Sequence, residues 1–164
     1  MAYWLMKSNP KFFGIDNLQR LGTERWDGVR NYRARNFMRD DMKVGDKVFF
    51  YHSSAKPSGV VGIMTVSKAG YPDSSQFHPE HRHYDPIATE EKPRWYMVDV
   101  TFDQALTQIL PLSELKFIPM LEDSLLLKKG CEQLTVIPLE PKHWLAIMDM
   151  AETLGLLRDG EDIF

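Results

Sequence analysis

Three strand-like runs stand close together in the middle of the chain, and their spacing limits the fold more than any other feature. KVFFYHS (47–53) and GVVGIMTVSKAG (59–70) are separated only by a short Ser/Pro/Gly turn, and RWYMVDVTF (94–102) follows after a loop. A crossover between parallel strands needs a dozen or more residues, usually a helix. The gap at 54–58 has no room for one, so the first two runs pair as antiparallel neighbours and a doubly wound parallel sheet is disfavoured. The second run is rich in β-branched residues and Gly, which predicts a long strand that bends at Gly62. Alternation puts Val48, Phe50 and His52 on one face of the first run and Phe49, Tyr51 and Ser53 on the other. In the third run Tyr96, Val98, Val100 and Phe102 share a face.

The flanks supply more elements. AYWLMK is apolar on both sides, as a strand inside a small barrel is, and stops at Pro10. IDNLQRL suits a short helix with Asp16 as cap and Gly22 as stop. Asn31 caps a second helix whose apolar stripe is Ala34, Phe37, Met38 and Met42. LSELK and MLEDSLLLKKG are short helical candidates and QLTVIPL is a strand. PKHWLAIMDMAETLG is an amphipathic helix opened by Pro141 and closed by Gly155. Residues 71–93 carry four prolines, three histidines and many charges, which marks a surface loop of unusual length. The resulting order, β, α, α, β, β, β, α, α, β, α, is that of a mixed α+β domain: a small barrel with helices.

At 164 residues and 43% hydrophobic content, the chain suits one core. The expected division is a single domain over 1–155 with a loose tail over 156–164. The longest apolar stretches, such as 60–64 and 125–127, fall far below the roughly 20 residues that cross a bilayer, so no membrane partner is expected. The first residues show no basic leader or small-residue cleavage site, and the expectation is a chain that is not exported. A lone cysteine, Cys131, forms no internal disulfide and points to a reducing, cytoplasmic location. A formal charge of −3 argues against tight non-specific binding to nucleic acid. Yet six of the nine arginines (Arg20, Arg25, Arg30, Arg33, Arg35, Arg39) fall between residues 20 and 39. A basic face and an ordinary solvated helix surface are equal readings of that cluster.

No nucleophile elbow, phosphate loop, zinc helix, dinucleotide fingerprint or paired cysteines occur. His78, His81 and His83, with Glu80 and Asp85, have metal-ligand chemistry, but successive loop residues seldom converge, so they are read as solvated loop. Tyr51, His52 and Ser53 are adjacent on a strand, and their alternating side chains cannot form a nucleophile and base together. The denser signal is aromatic and amide-rich: Tyr3, Trp4, Lys7 and Ser8, then Trp26 with Asn31, Tyr32, Arg35 and Asn36, then Tyr51 to Ser53, and Trp95. A pocket for a flat heterocycle needs a π-face plus donors and acceptors for its edge. Each aromatic taken singly is more often core than platform, Asn31 is also a helix cap, and His52 is also a core histidine. Composition alone gives a binding domain without a named ligand.

The strings WDGVRNYRARNFMR and FYHSS, with YWLMKS before them and YPD, PRWYMVDV and QLTVIPL after, resemble the EVE domain family, which includes the thymocyte nuclear proteins. That family lies in the PUA-like superfamily, close to the YTH domains. The resemblance runs in order from Tyr3 to about Ile147. It implies a PUA-like, partly open β-barrel flanked by several short helices, and a pocket that receives a modified base, such as 5-methylcytosine, flipped out of DNA or RNA. It implies a non-enzymatic reader with no cofactor. On matching positions it places Lys7, Ser8, Trp26, Asn31, Arg35, Asn36, Tyr51, His52 and Ser53 around the pocket. Trp26 is the stacking platform, Asn31 and Ser53 read the edge, and Arg35 is a candidate phosphate contact; Arg30, Arg33 and Arg39 are assigned to the nucleic-acid backbone. The chain departs from the family pattern at Asn9, where a carboxylate is usual, and at Gln133 and Thr135, where Arg and Ser are usual. Two other readings stand beside this one: an RNA- or nucleotide-acting enzyme of ASCH-like type using Lys7 and His52, and a small-metabolite or anion sensor at the helix start near Asn31.

Overall fold

The computed structural model describes residues 1–158. Six strands form one open sheet: β1 (Tyr3–Ser8), β2 (Thr23–Arg25), β3 (Lys47–His52), β4 (Gly59–Pro72), β5 (Tyr96–Pro111) and β6 (Val136–Leu139), in the spatial order β2-β5-β4-β3-β1-β6. The helices are α1 (Ile15–Leu21), α2 (Tyr32–Asn36), α3 (Leu112–Leu115) and α4 (Pro141–Thr153). The β3–β4 and β4–β5 pairs are antiparallel, as the short spacing requires, and β1 joins β3 as the one parallel pair in the sheet. β1 and β3 are buried on both faces; Leu5, Met6, Phe49 and Phe50 are among the most buried side chains. The sheet bends through repeated register shifts along β4–β5, one of them between Val60 and Gly62. At Gly62 a Cβ would lie 2.6 Å from Ile15 Cδ1, so the missing side chain lets α1 press onto the bend. On the opposite side α4 is anchored by Trp144, which stacks on Phe49 at 3.9 Å and on Tyr3 at 5.0 Å.

Several expectations need correction. α1 is capped at Gly14, and Asp16 lies within its first turn. The Asn17 side chain accepts from the Gly14 N–H at 2.8 Å, and His52 Nε2 accepts the Ile15 N–H at 3.1 Å, so two helix-start donors are satisfied from elsewhere. Asn31 does cap α2, accepting from the Ala34 N–H at 2.9 Å, and the helix continues into a π-turn over Phe37–Asp41 that buries Met38. The third strand extends to Pro111, and the short β2, which no sequence period announces, pairs with it. MLEDSLLLKKG is not a helix: after a single 3-10 turn at Pro119–Leu121 the chain runs in turns, with Leu121 and Leu126 buried at irregular intervals. The chain beyond Thr153 is packed at first. Leu156 is buried and its carbonyl accepts from the Thr107 N–H at 2.8 Å, while residues 159–164 of the expected tail lie outside the described residues.

Candidate functional site

A cavity of about 730 Å³ opens where β1 and β3 end, walled by residues 24–31, which run out of β2, and by residues 81–83 of the long loop. That size lies within the range of small-molecule pockets. Trp26, held by its N–H bond to Val98 O at 2.8 Å, lines it while standing edge-on to Phe50 at 5.2 Å and to Phe13 at 6.1 Å. The Trp26 indole nitrogen has no hydrogen-bond partner among the described residues.

Of the residues proposed from sequence, Lys7, Ser8, Trp26, Asn31, Ser53 and Arg30 border the cavity. The Lys7 ammonium is partly desolvated, which lowers its pKa, although Glu132 and Cys131 oppose the shift; its Nζ donates to Glu132 O at 3.3 Å. The Ser8 hydroxyl donates to Phe13 O at 2.6 Å, leaving its lone pairs for a ligand. Asn31 Oδ1 is used by the helix cap, while its side-chain NH2 has no partner among the described residues and can donate.

Four of the nine residues proposed around the base lie outside the lining. Tyr51 is buried in the core beneath Lys7, whose Nζ is 5.5 Å from the ring centre. His52 turns its Nε2 to the Ile15 N–H, and burial lowers its pKa against the opposing charge of Asp16. Arg35 lies 4.8 Å from the Tyr32 ring, beside the Tyr32–Trp95 stack, and donates to Arg94 O at 2.8 Å and to Asn36 Oδ1 at 2.8 Å, which occupies Asn36 as well. The arginines assigned to the nucleic-acid backbone, Arg30, Arg33 and Arg39, divide between the cavity and the exposed surface beside it. Arg39 pairs with Asp40 at 2.8 Å, and Arg33 sits over Phe37, 6.0 Å from its ring centre; neither reaches the cavity. Arg30 does, but its donors are engaged within the protein.

The Arg30 contacts centre on Asp73, the last residue of the YPD string. Asp73 Oδ2 accepts from the Gly28 N–H at 2.8 Å and from Arg30 Nη1 at 3.1 Å, and its Oδ1 accepts from the Ser75 hydroxyl at 2.6 Å. Burial would raise the Asp73 pKa, yet the bonds from Ser75, the Gly28 amide and Arg30 outweigh it and hold the carboxyl below its usual value. Arg30 Nη2 continues to Ser75 Oγ at 3.0 Å and His83 O at 2.9 Å, which ties the 26–31 segment to the histidine loop. Gly28 has φ +80°, and a Cβ there would fall 2.6 Å from His83 Nε2, so only glycine lets the loop close this tightly. Desolvation, then the charges of Arg30, Arg82 and His81, lower the His83 pKa, with Asp27 opposing.

His81, Arg82, His83, Phe12 and Phe13 therefore belong to the site and were not anticipated; the length of the loop was the available signal. Asn9 and Thr135, noted as departures from the family pattern, both border the cavity. The site offers an aromatic floor, amide, hydroxyl and ammonium groups, and an arginine–histidine wall, a combination suited to a flat polar heterocycle attached to an anion.

An EVE domain family model matches residues 2–150. Thymocyte nuclear protein 1 of Danio rerio is 47% identical over 124 residues, covering 69% of this chain and 53% of that protein; the chain thus spans about half the length of the curated relatives it matches. A crystal structure of a Pseudomonas syringae protein superimposes with a TM-score of 0.88 at 45% identity, covering 92% of this chain and 99% of the other. The crystal structure of human THYN1 protein in complex with 5-methylcytosine-containing DNA superimposes with a TM-score of 0.86 at 37% identity, covering 93% of this chain and 98% of the other.

Proposed function

Because the chain belongs to the EVE domain family, matched over residues 2–150, we propose that it is a non-enzymatic domain that binds DNA or RNA and takes a flipped modified base into the Trp26 cavity. The observation that carries this reading is the cavity, lined by Trp26 and Phe13 with an Asn31 amide free to donate, in a fold shared with human THYN1 bound to 5-methylcytosine DNA. 5-Methylcytosine in DNA is accordingly the first ligand to test. An aromatic surface supplies stacking worth roughly 1–3 kcal/mol per base, and the amide, hydroxyl and indole groups supply edge contacts. The enzymatic reading needed Lys7 and His52 as a pair, and the engagement of His52 Nε2 by Ile15 supports a binding role instead. The sensor reading needed a free helix start at Asn31, which its own side chain caps. We assign the binding unit to 1–155 and its compartment to a reducing one, the cytoplasm, on the strength of the single thiol.

The test is fluorescence anisotropy with labelled DNA and RNA oligomers carrying unmodified, 5-methyl- or 5-hydroxymethylcytosine, or N6-methyladenine. Asn31→Ser keeps a capping oxygen and removes the amide donor. We expect saturable binding that prefers one modification, weakened about tenfold by Asn31→Ser, in line with the loss of one edge contact to a buried base. Equal binding of all oligomers at low salt would overturn the reading.

A further inference from the structure

Among the large apolar side chains left exposed in the described residues, Phe12 alone borders the cavity, and it is 61% accessible. Its ring meets the Arg82 guanidinium, 4.5 Å from the ring centre, so two side chains from separate loops join at the mouth. Arg82 has no carboxylate in ion-pair range among the described residues, and its Nε contacts His83 Nε2 at 3.2 Å. Both loops hold their backbones firmly beneath these exposed groups. Asn9 O accepts the N–H of Phe12 and of Phe13, each at 3.0 Å, and Asn9 Oδ1 accepts from Lys11 N at 3.0 Å. On the other side Arg30 clasps His83 O, and the Asp85 N–H donates to Gln76 O at 3.0 Å.

Turning a base out of a duplex unstacks its neighbours and leaves its former partner unpaired, and both losses oppose binding. Proteins that distort duplexes insert apolar side chains between base steps, and an aromatic ring in the vacated place stacks on the neighbouring bases in the stead of the flipped one. A rigidly mounted, solvent-exposed aromatic beside the pocket has the required chemistry and place. We propose that Phe12, backed by Arg82, fills the gap left in a double helix by the base that enters the cavity; the proposal rests on the base-binding reading above and makes the partner a duplex. Arg82 covers the ring in the free protein and, lacking a carboxylate partner, is available to the phosphate or to the orphaned base once the ring is inserted. A single strand has no such gap, so the contribution of Phe12 belongs to the duplex.

The experiment measures binding of wild type, Phe12→Ala, Phe12→Leu and Arg82→Ala to one 5-methylcytosine DNA sequence, presented as a duplex and as a single strand. Phe12 is exposed, so melting curves of its variants should match wild type. Phe12→Ala is expected to weaken duplex binding about tenfold, the scale of a lost stacking contact, and single-strand binding by less than about threefold. Phe12→Leu, still an apolar wedge, should recover most of the duplex affinity, and Arg82→Ala should also be selective for the duplex. Equal losses on both forms, or no loss on the duplex, would overturn the wedge while leaving the base-binding reading intact. Wild type that binds neither form would overturn both.

Discussion

Trp26 is only 6% exposed, sits edge-on to Phe50 and Phe13, and still borders the cavity. Those contacts make it part of the core as well as of the site, so truncation cannot be treated as a clean removal of a stacking surface. Trp26→Ala should lower stability by about 3–5 kcal/mol, the usual cost of emptying a large aromatic site, and a urea midpoint shifted well below that of wild type would show it. Trp26→Phe keeps an aromatic surface in the same packing and should retain the fold while weakening base binding, because the indole N–H and part of the ring area are gone. A Trp26→Ala protein as stable as wild type would mean that the floor of the cavity collapses without strain. The two readings of this residue in the sequence, core and platform, correspond to this double position: it packs in the core and borders the cavity.

Among the elements, the wall made by the 26–31 segment and the histidine loop depends on one carboxylate. Asp73 is 1% exposed at its side chain and receives Gly28, Arg30 and Ser75, so Asp73→Ala leaves the Arg30 charge, itself 21% exposed, without its partner. Removal of one member of a largely buried pair costs about 3 kcal/mol, and here the loss should concentrate locally: hydrogen exchange at the Gly28 amide should accelerate more than exchange in β3. Uniform acceleration would show that the wall is not a separate unit. Sequence periodicity exposed the central strands, α2 with its Asn31 cap, and α4, because each repeats an apolar stripe or carries an end signal. It missed β2, which is three residues long, and the extension of β5 to Pro111, where alternation weakens at the register shifts. Of the residues that the sequence singles out, Lys7, Ser8, Trp26, Asn31 and Ser53 border the cavity, and so do His81 and His83, whose sequence context reads as solvated loop. Their placement depends on Asp73, Ser75 and Gln76, buried polar residues in a segment whose composition reads as surface. Burial there follows from side-chain to backbone bonds, such as Gln76 Nε2 to Trp95 O at 2.8 Å, and those leave no hydrophobic period to detect.

For the molecule as a whole, two histidines couple the fold to pH in the same direction. Burial lowers the pKa of His52, whose Nε2 must stay unprotonated to accept the Ile15 N–H, and burial with the charges of Arg30, Arg82 and His81 lowers that of His83. In the unfolded chain both titrate near the ordinary value of about 6.5. As pH falls below that value the unfolded state takes up protons before the folded one does, so stability decreases; it is fully present above about 6.5 and is lost as pH drops through the lowered folded values. The carboxylates Asp73 and Asp123 act below this window: their lowered folded values stabilise the fold above the unfolded value of about 3.9, and that stability is lost only as pH falls from there through the folded values, Asp123 at about 2 by its bonds to Lys142 and His143. Urea midpoints should therefore be lower at pH 5.5 than at pH 7.5. In His52→Gln, whose side-chain carbonyl can accept the Ile15 N–H without titrating, the difference should shrink. A pH dependence of the opposite sign, or one unchanged in His52→Gln, would mean that the α1 start does not depend on an unprotonated His52. Because α1 presses on the sheet at Gly62, close to where β1 and β3 deliver Ser8 and Ser53 to the cavity, acidification should also weaken ligand binding in wild type more than in His52→Gln.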